Sequence, residues 1–486
     1  MKRLCTAVLV ALALIGVSAA QTGNQFTIND LLKVRRVGDP QVSPDGRWVA
    51  YVITDMDKTA NHGTTQIYLL PIEGGEPRQL TKGAGSSDSP RWSSDGKRLA
   101  FITSQDGGSQ IWMLDIASGE TKKLTTISTE AGDPIWSPDG RNLAFVSDIF
   151  PDCATDDCNR ERNQKMSESK VRAKIADHLL FRHWKTWKEG RRTHVFVVSA
   201  DGGAARDMTP GDYDAPPFSL GGPTDYAFSP DSKELAFARN TDKVEATSTN
   251  GDIFIVPIAG GEARRITESN RGADLSPQYS PDGRYIAYRS QSTAGFESDR
   301  WRLMLYDRQS GQSRDLTDKF DLAVDGFTFA PDSKKIYLTT NERGLEPIYT
   351  IATGGGALTK LIGDGFNGDV QVTSDGRTLV FPRSSAAKPN EIYRANADGT
   401  GITQLTKTND AFISGFHLPQ AESVEWEGAA GAHVQGWVIR PAQCTATNKC
   451  PMITLIHGGP QGAWDDNWGY RWNPQVFASP GYVVFM

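Results

Sequence analysis

The sequence predicts an all-β, seven-bladed β-propeller followed by a short α/β segment. Two repeated motifs and the spacing between their copies carry that expectation. The first motif is a turn followed by an apolar strand, as in Ser43-Pro44-Asp45-Gly46 and Trp48-Val49-Ala50-Tyr51, and it recurs around Asp95, Asp139, Asp231, Asp282, Asp332 and Asp375. The second is a strand, a Gly-rich turn and a strand ending near Leu-Thr, with copies ending at Thr81, Thr125, Thr209, Thr267, Thr317, Ile362 and Thr406. Both motifs occur seven times.

Each copy reads as a β-meander. Proline presets φ for the turn, aspartate bonds the following backbone, and glycine takes the left-handed position. Successive turn aspartates lie 50, 44, 92, 51, 50 and 43 residues apart. A period of that length holds about four strands, and such a sheet cannot bury both faces alone, so seven copies close into a ring. The repeat aspartates and the aromatics before the turns (Trp92, Trp136, Phe228, Tyr279, Phe329) are read as structural. One carboxylate per copy is too few for calcium.

The 92-residue interval implies an insertion in the third blade at about 148–192. Between Arg160 and Arg192 it has 11 Lys or Arg against 4 Asp or Glu. Val171, Ile175 and Leu179 fall at i, i+4 and i+8, which predicts an amphipathic helix. Two readings stay open: a solvated helix stapled to its blade, or an element facing substrate.

At the amino terminus Lys2 and Arg3 precede an apolar run from Ala7 to Val17 and the small residues Ser18-Ala19-Ala20. This predicts a signal peptide over 1–20, cleaved before Gln21, and a periplasmic or secreted protein. The run is too short to span a bilayer. The net charge of −6 becomes −8 without Lys2 and Arg3, which argues against nucleic acid and anionic membranes as partners. Cys153 with Cys158 and Cys444 with Cys450 then read as two disulfides closing short loops. No histidine stands at zinc-ligand spacing from either pair, and no metal or other cofactor is expected.

The propeller is assigned to 21–415. From 416 to 486 the text changes to an extended pair around Val424–Trp426 and Val434–Ile439, then Met452-Ile453-Thr454-Leu455-Ile456 running into His457-Gly458-Gly459-Pro460. A buried strand, here through Ile456, ending in a glycine turn with histidine is the oxyanion-loop arrangement of lipases and esterases. Residues 467–477 read as a covering helix, and Gly481–Phe485 as the next strand.

The blades, His457-Gly458-Gly459-Pro460-Gln461-Gly462 and Trp472-Asn473-Pro474-Gln475 together resemble the prolyl oligopeptidase family, in its acylaminoacyl-peptidase and dipeptidyl-peptidase 5 branch. So does the insertion, in Leu180-Phe181-Arg182-His183-Trp184 and Thr193-His194-Val195-Phe196. The resemblance implies a propeller followed by the start of an α/β-hydrolase domain, short peptide substrates, and a Ser-Asp-His triad at the interface between the two. It also implies that Gly459 N–H serves the oxyanion hole, that His457 props the loop, and that a homodimer could form through the hydrolase domain.

No Gly-x-Ser-x-Gly elbow occurs in the 486 residues, so the chain is expected to stop before the triad and to be inactive alone. Arg182 and Trp184 are the candidate substrate contacts. The leading activity is release of dipeptides from amino termini, with acylaminoacyl-peptidase or oligopeptidase activity as alternatives. A TolB-like protein-binding propeller is the alternative of another class.

Overall fold

The computed structural model describes residues 24–486 except 178, 184–185, 218–224 and 460, and the backbone alone of His183. The signal peptide expected over 1–20 and the proposed contact Trp184 lie outside the described residues. Seven antiparallel sheets span 36–79, 87–123, 132–207, 226–265, 274–315, 324–362 and 366–404. Each is built from one contiguous stretch of chain, and among the described residues no strand is exchanged between the first and last.

The two motifs repeat because each closes a local hydrogen-bond circuit. In the first blade Ser43 Oγ donates to Asp45 Oδ1 (2.6 Å) and accepts from Trp48 N, while Asp45 Oδ1 accepts from Arg47 N. The same serine or threonine to aspartate bond recurs at Ser93, Ser137, Ser229, Ser280 and Thr373. Where serine replaces the turn glycine, at Ser232 and Ser333, φ is still positive (59° and 61°). There the hydroxyl accepts from Asp139 N or Asp282 N of the preceding blade, which offsets the left-handed strain.

The Leu-Thr marker has a similar cause. Thr81, Thr125, Thr209, Thr267, Thr317 and Thr406 each accept, through Oγ1, the backbone N–H of a third-strand residue 14 positions earlier, at 2.8–3.0 Å. A buried donor is satisfied where the short fourth strand ends. Thr125 Oγ1 also donates to Gln110 Oε1 at 2.7 Å. Thr125→Val should cost about 1–3 kcal/mol by leaving both partners unmet, read as a lower urea midpoint at unchanged m-value.

Seven apolar clusters fill the seams between successive blades. One of them joins Val49, Tyr51 and Leu70 of the first blade to Val380, Ile392 and Leu405 of the last, closing the ring. Aromatics before the turns fasten neighbours as well: Trp92 Nε1 donates to Gln41 O and Trp136 Nε1 to Arg91 O.

The insertion leaves the third blade after Ile149 and rejoins it at Arg192. Its helix is not where the four-residue period placed it. The helix runs over Asp156–Glu168, whereas 171–176 are irregular and Val171, Ile175 and Leu179 are exposed. Capping decides the position: Thr155 accepts from Cys158 N, and Asp156 and Asp157 occupy the positive first turn. Asp156 Oδ1 also accepts from Ser128 N, tying the helix to the ring.

Cys153 is bonded to Cys158 and Cys444 to Cys450, each with Cα atoms 5.4 Å apart. Thiol titration of the denatured, unreduced protein lacking 1–20 should find no free thiol; four would remove both bridges. Among the described residues no helix is long and apolar enough to cross a membrane, and no cluster of histidine, cysteine or carboxylates could hold a metal ion.

Candidate active site

After the last blade, strands Ala421–Glu427, His433–Ile439, Val483–Phe485 and Met452–Thr454 form a mixed sheet in that order. The last two are parallel, with Met452 opposite Val483, and the short helix Pro474–Ala478 lies between them in sequence. Expected as a buried strand through Ile456, Met452–Thr454 is instead the sheet edge, and Met452 and Ile456 are exposed. The helix is also shorter than the 467–477 expected. Pro474 stands at its start and Asn473 caps it by accepting from Gln475 N, so earlier residues remain in the loop.

The glycine turn follows this edge strand. Gly459 has φ +128°, and a Cβ there would lie 2.6 Å from Gln461 N. Only glycine fits this turn, and the residues just before it, through Gly458, border a hollow of about 430 Å³. Ile456, His457, Trp464 and Trp472 line that hollow. The His457 ring is exposed, and its Nδ1 donates to Gly458 O at 2.9 Å.

The loop beyond the turn sits on the sixth and seventh blades. Asp466 N donates to Gly344 O (2.8 Å), Ala386 N to Asp466 Oδ1 (2.7 Å), and Asn341 Nδ2 to Asp465 Oδ1 (2.8 Å). Buried Gln475 reaches Ala386 O and Pro419 O. Asn341, Gly344 and Ala386 belong to loops joining second to third strands, so the glycine turn stands on the propeller face opposite the Ser-Pro-Asp-Gly turns.

A cavity of about 560 Å³ opens on the ring axis, lined by Asp39, Arg91, Asp133, Arg289, Asp325 and Asp369. Its carboxylates come from bulges in the innermost strands, where Asp39, Asp133 and Asp369 take φ of 46°, 48° and 39°. Burial raises the carboxyls of Asp133, Asp325 and Asp369; Arg91 opposes this at Asp133 and Asp369, and Arg289 at Asp325. Arg91 Nη1 bonds both Asp39 oxygens at 2.9–3.0 Å.

Between this mouth and the glycine loop, Glu346 is pushed up to about 8, first by burial and then by the charges of Asp325, Asp369 and Asp465, against a hydrogen bond to Thr339. None of these acids was singled out in the sequence. Asp39-Pro40, Ser89-Pro90, Asp133-Pro134 and Ser276-Pro277 recur shortly before the turns, and that repeat marks the bulges.

Of the residues proposed from sequence, Gly459 and His457 stand together on this face. Arg182 lies in a two-residue hairpin of the third-blade insertion, exposed, with its guanidinium 5.4 Å from the Trp187 ring centre. The cysteine pairs sit apart, one at the base of the insertion and one before the edge strand.

A TolB β-propeller domain model matches residues 23–217. Dipeptidyl-peptidase 5 of Porphyromonas gingivalis is 30% identical over 474 residues, covering 96% of this chain and 68% of that protein. Its counterpart from Porphyromonas endodontalis is 30% identical over 470 residues, covering 95% and 67%. Among solved structures, acylaminoacyl peptidase of Pyrococcus horikoshii superposes with a TM-score of 0.74 at 19% identity, over 94% of this chain and 66% of that one. The β-propeller domain of the trilobed protease from Pyrococcus furiosus, described as having an open velcro topology, superposes at 0.54 with 18% identity, over 78% and 97%. This chain thus spans about two thirds of the length of these curated relatives.

The ring and these likenesses define a propeller-bearing peptidase. The chain belongs to the prolyl oligopeptidase family of serine peptidases, in the branch of the dipeptidyl-peptidases 5.

Proposed function

We propose that this chain provides the substrate chamber and oxyanion turn of an exported serine peptidase that releases dipeptides from the amino termini of short peptides. The observation that carries the reading is the turn at Gly459, which follows a strand of a parallel pair and stands on one mouth of the ring. In acyl transfer, backbone N–H groups so placed stabilise the oxyanion. The sheet and helix of 421–485 are then the opening of an α/β-hydrolase domain.

The propeller mouth favours a free amine over an acylated one. Asp325, Glu346, Asp369 and Asp465 gather there, with Arg289 offsetting Asp325 and Arg91 offsetting Asp369, and an ammonium group would favour the charged form of these crowded carboxyls. No Gly-x-Ser-x-Gly elbow lies within the 486 residues, so this chain by itself is expected to bind peptides without turning them over.

The test has two arms. The purified 486-residue chain should resist labelling by a serine-directed phosphonate and leave chromogenic dipeptides intact; stoichiometric labelling would reveal an unrecognised nucleophile. The enzyme produced from the whole gene should release dipeptides from peptides with a free amino terminus and spare acetylated ones. Release of acetylated residues would replace the reading by acylaminoacyl-peptidase activity.

A further inference from the structure

The insertion and the glycine turn share one face of the ring. The insertion replaces the loop between second and third strands of the third blade, and the corresponding loops of the sixth and seventh blades hold the segment that follows the turn. In a ring of seven, the third blade lies across the axis from the sixth and seventh. The insertion therefore rises opposite Gly459, with the axial cavity between them.

Charge is divided the same way. The insertion, residues 150–191, carries +3 (10 Lys or Arg against 7 Asp or Glu) within a chain of −6, so the remainder carries −9. Several of its cations are already engaged: Arg192 by Asp212, Asp214 and Glu245, Arg162 by Asp152, and Arg191 by Asn163. Arg182 differs. It forms no ion pair among the described residues, and its guanidinium lies over the ring of Trp187, on which Phe181 also stacks at 5.9 Å. Ile175 (92% exposed), Phe181 and Trp187 line a cavity of about 640 Å³ whose remaining wall carries both signs, Lys174 and Arg191 with Asp152, Glu189 and Asp212; Arg182 stands outside that lining. A guanidinium over an indole face can still turn N–H donors to a carboxylate, beside apolar surface.

Resting on the proposed peptidase reading, we propose that this insertion binds the carboxyl-terminal side of the substrate: Arg182 takes the free terminal carboxylate, and Ile175 and Phe181 take the adjacent apolar side chain. The acidic mouth and the basic insertion then select short zwitterionic peptides by their two ends. The insertion sets where the leaving group's carboxylate must fall.

The experiment needs no turnover. Ala-Ala-Phe and its carboxyl-terminal amide are titrated calorimetrically onto the 486-residue chain and onto Arg182→Ala and Arg182→Lys. The free acid should bind about five- to tenfold more tightly than the amide, the scale of one charge-assisted hydrogen bond at a part-exposed site. Arg182→Ala should erase that ratio by weakening the acid alone, and Arg182→Lys should keep part of it. Equal binding of acid and amide to the unmodified chain, absence of binding, or a preference that survives Arg182→Ala would each overturn the assignment. Failure of the whole-gene enzyme to cleave any peptide would instead count against the peptidase reading, whatever these titrations give.

Discussion

Replacing Gly459 by alanine in the enzyme from the whole gene should lower kcat by about 10²–10³ while the propeller stays folded. A Cβ would lie 2.6 Å from Gln461 N and 3.2 Å from Gln461 C, both backbone atoms that cannot yield as a flexible side chain would. The turn must shift, and a shifted N–H no longer meets the oxyanion, a loss of the size seen on removing one oxyanion donor. Because that donor acts mainly on the transition state, KM should change far less than kcat. Circular dichroism and urea unfolding serve as the check on folding. Unchanged turnover in a folded variant would take Gly459 out of the chemistry.

The second large effect concerns pH. Glu346 has its carboxyl raised from the ordinary 4.5 to about 8, chiefly by burial. Between those values the folded chain holds a proton that the unfolded chain has released, so stability falls as pH rises through this window and is lowest above about 8. The full shift corresponds to about 3–5 kcal/mol. Glu346→Gln keeps a neutral group able to bond Thr339 and removes the ionisation.

The variant should unfold at nearly the wild-type temperature at pH 5 and several degrees higher at pH 9. Asp274, raised to about 7 by burial, titrates in the same range in both proteins and cancels in the comparison. A difference in unfolding temperature that stays flat from pH 5 to 9 would mean that Glu346 is solvated or paired in solution.

The blade count was legible because each motif is a self-contained hydrogen-bond circuit. Ser43, Asp45 and Trp48 satisfy one another within six residues, so the signal survives without knowledge of the neighbours. The sixth blade shows the converse. Ala330 and Ile362 lack the hydroxyls of their counterparts, yet the sheet forms, its register held by pairs such as Ile336 with Ile351.

In the insertion, capping decides over periodicity. Val171, Ile175 and Leu179 keep a helical spacing but stand exposed, while Thr155, Asp156 and Asp157 carry the start signal. Of the candidate site, the glycine turn could be read locally. The acidic mouth could not, because Asp325, Glu346, Asp369 and Asp465 are brought together by the packing of the sixth blade on the seventh and by the docking of the carboxyl-terminal loop.

Since every sheet is complete before the next begins, the ring can be assembled in the order of synthesis, each finished blade serving as the template for its successor. The seam that closes the ring joins distant stretches: Leu405 and Ile392 onto Val49 and Leu70, Ser374 Oγ donating to Pro44 O, and Asn409 bonding Arg35 through both backbone groups. Until residues near 405 have left the ribosome, the nascent chain is an open arc whose first blade keeps a bare apolar flank. For that interval the flank is a surface on which a holding chaperone would act, and a pause in translation just upstream would prolong the hazard.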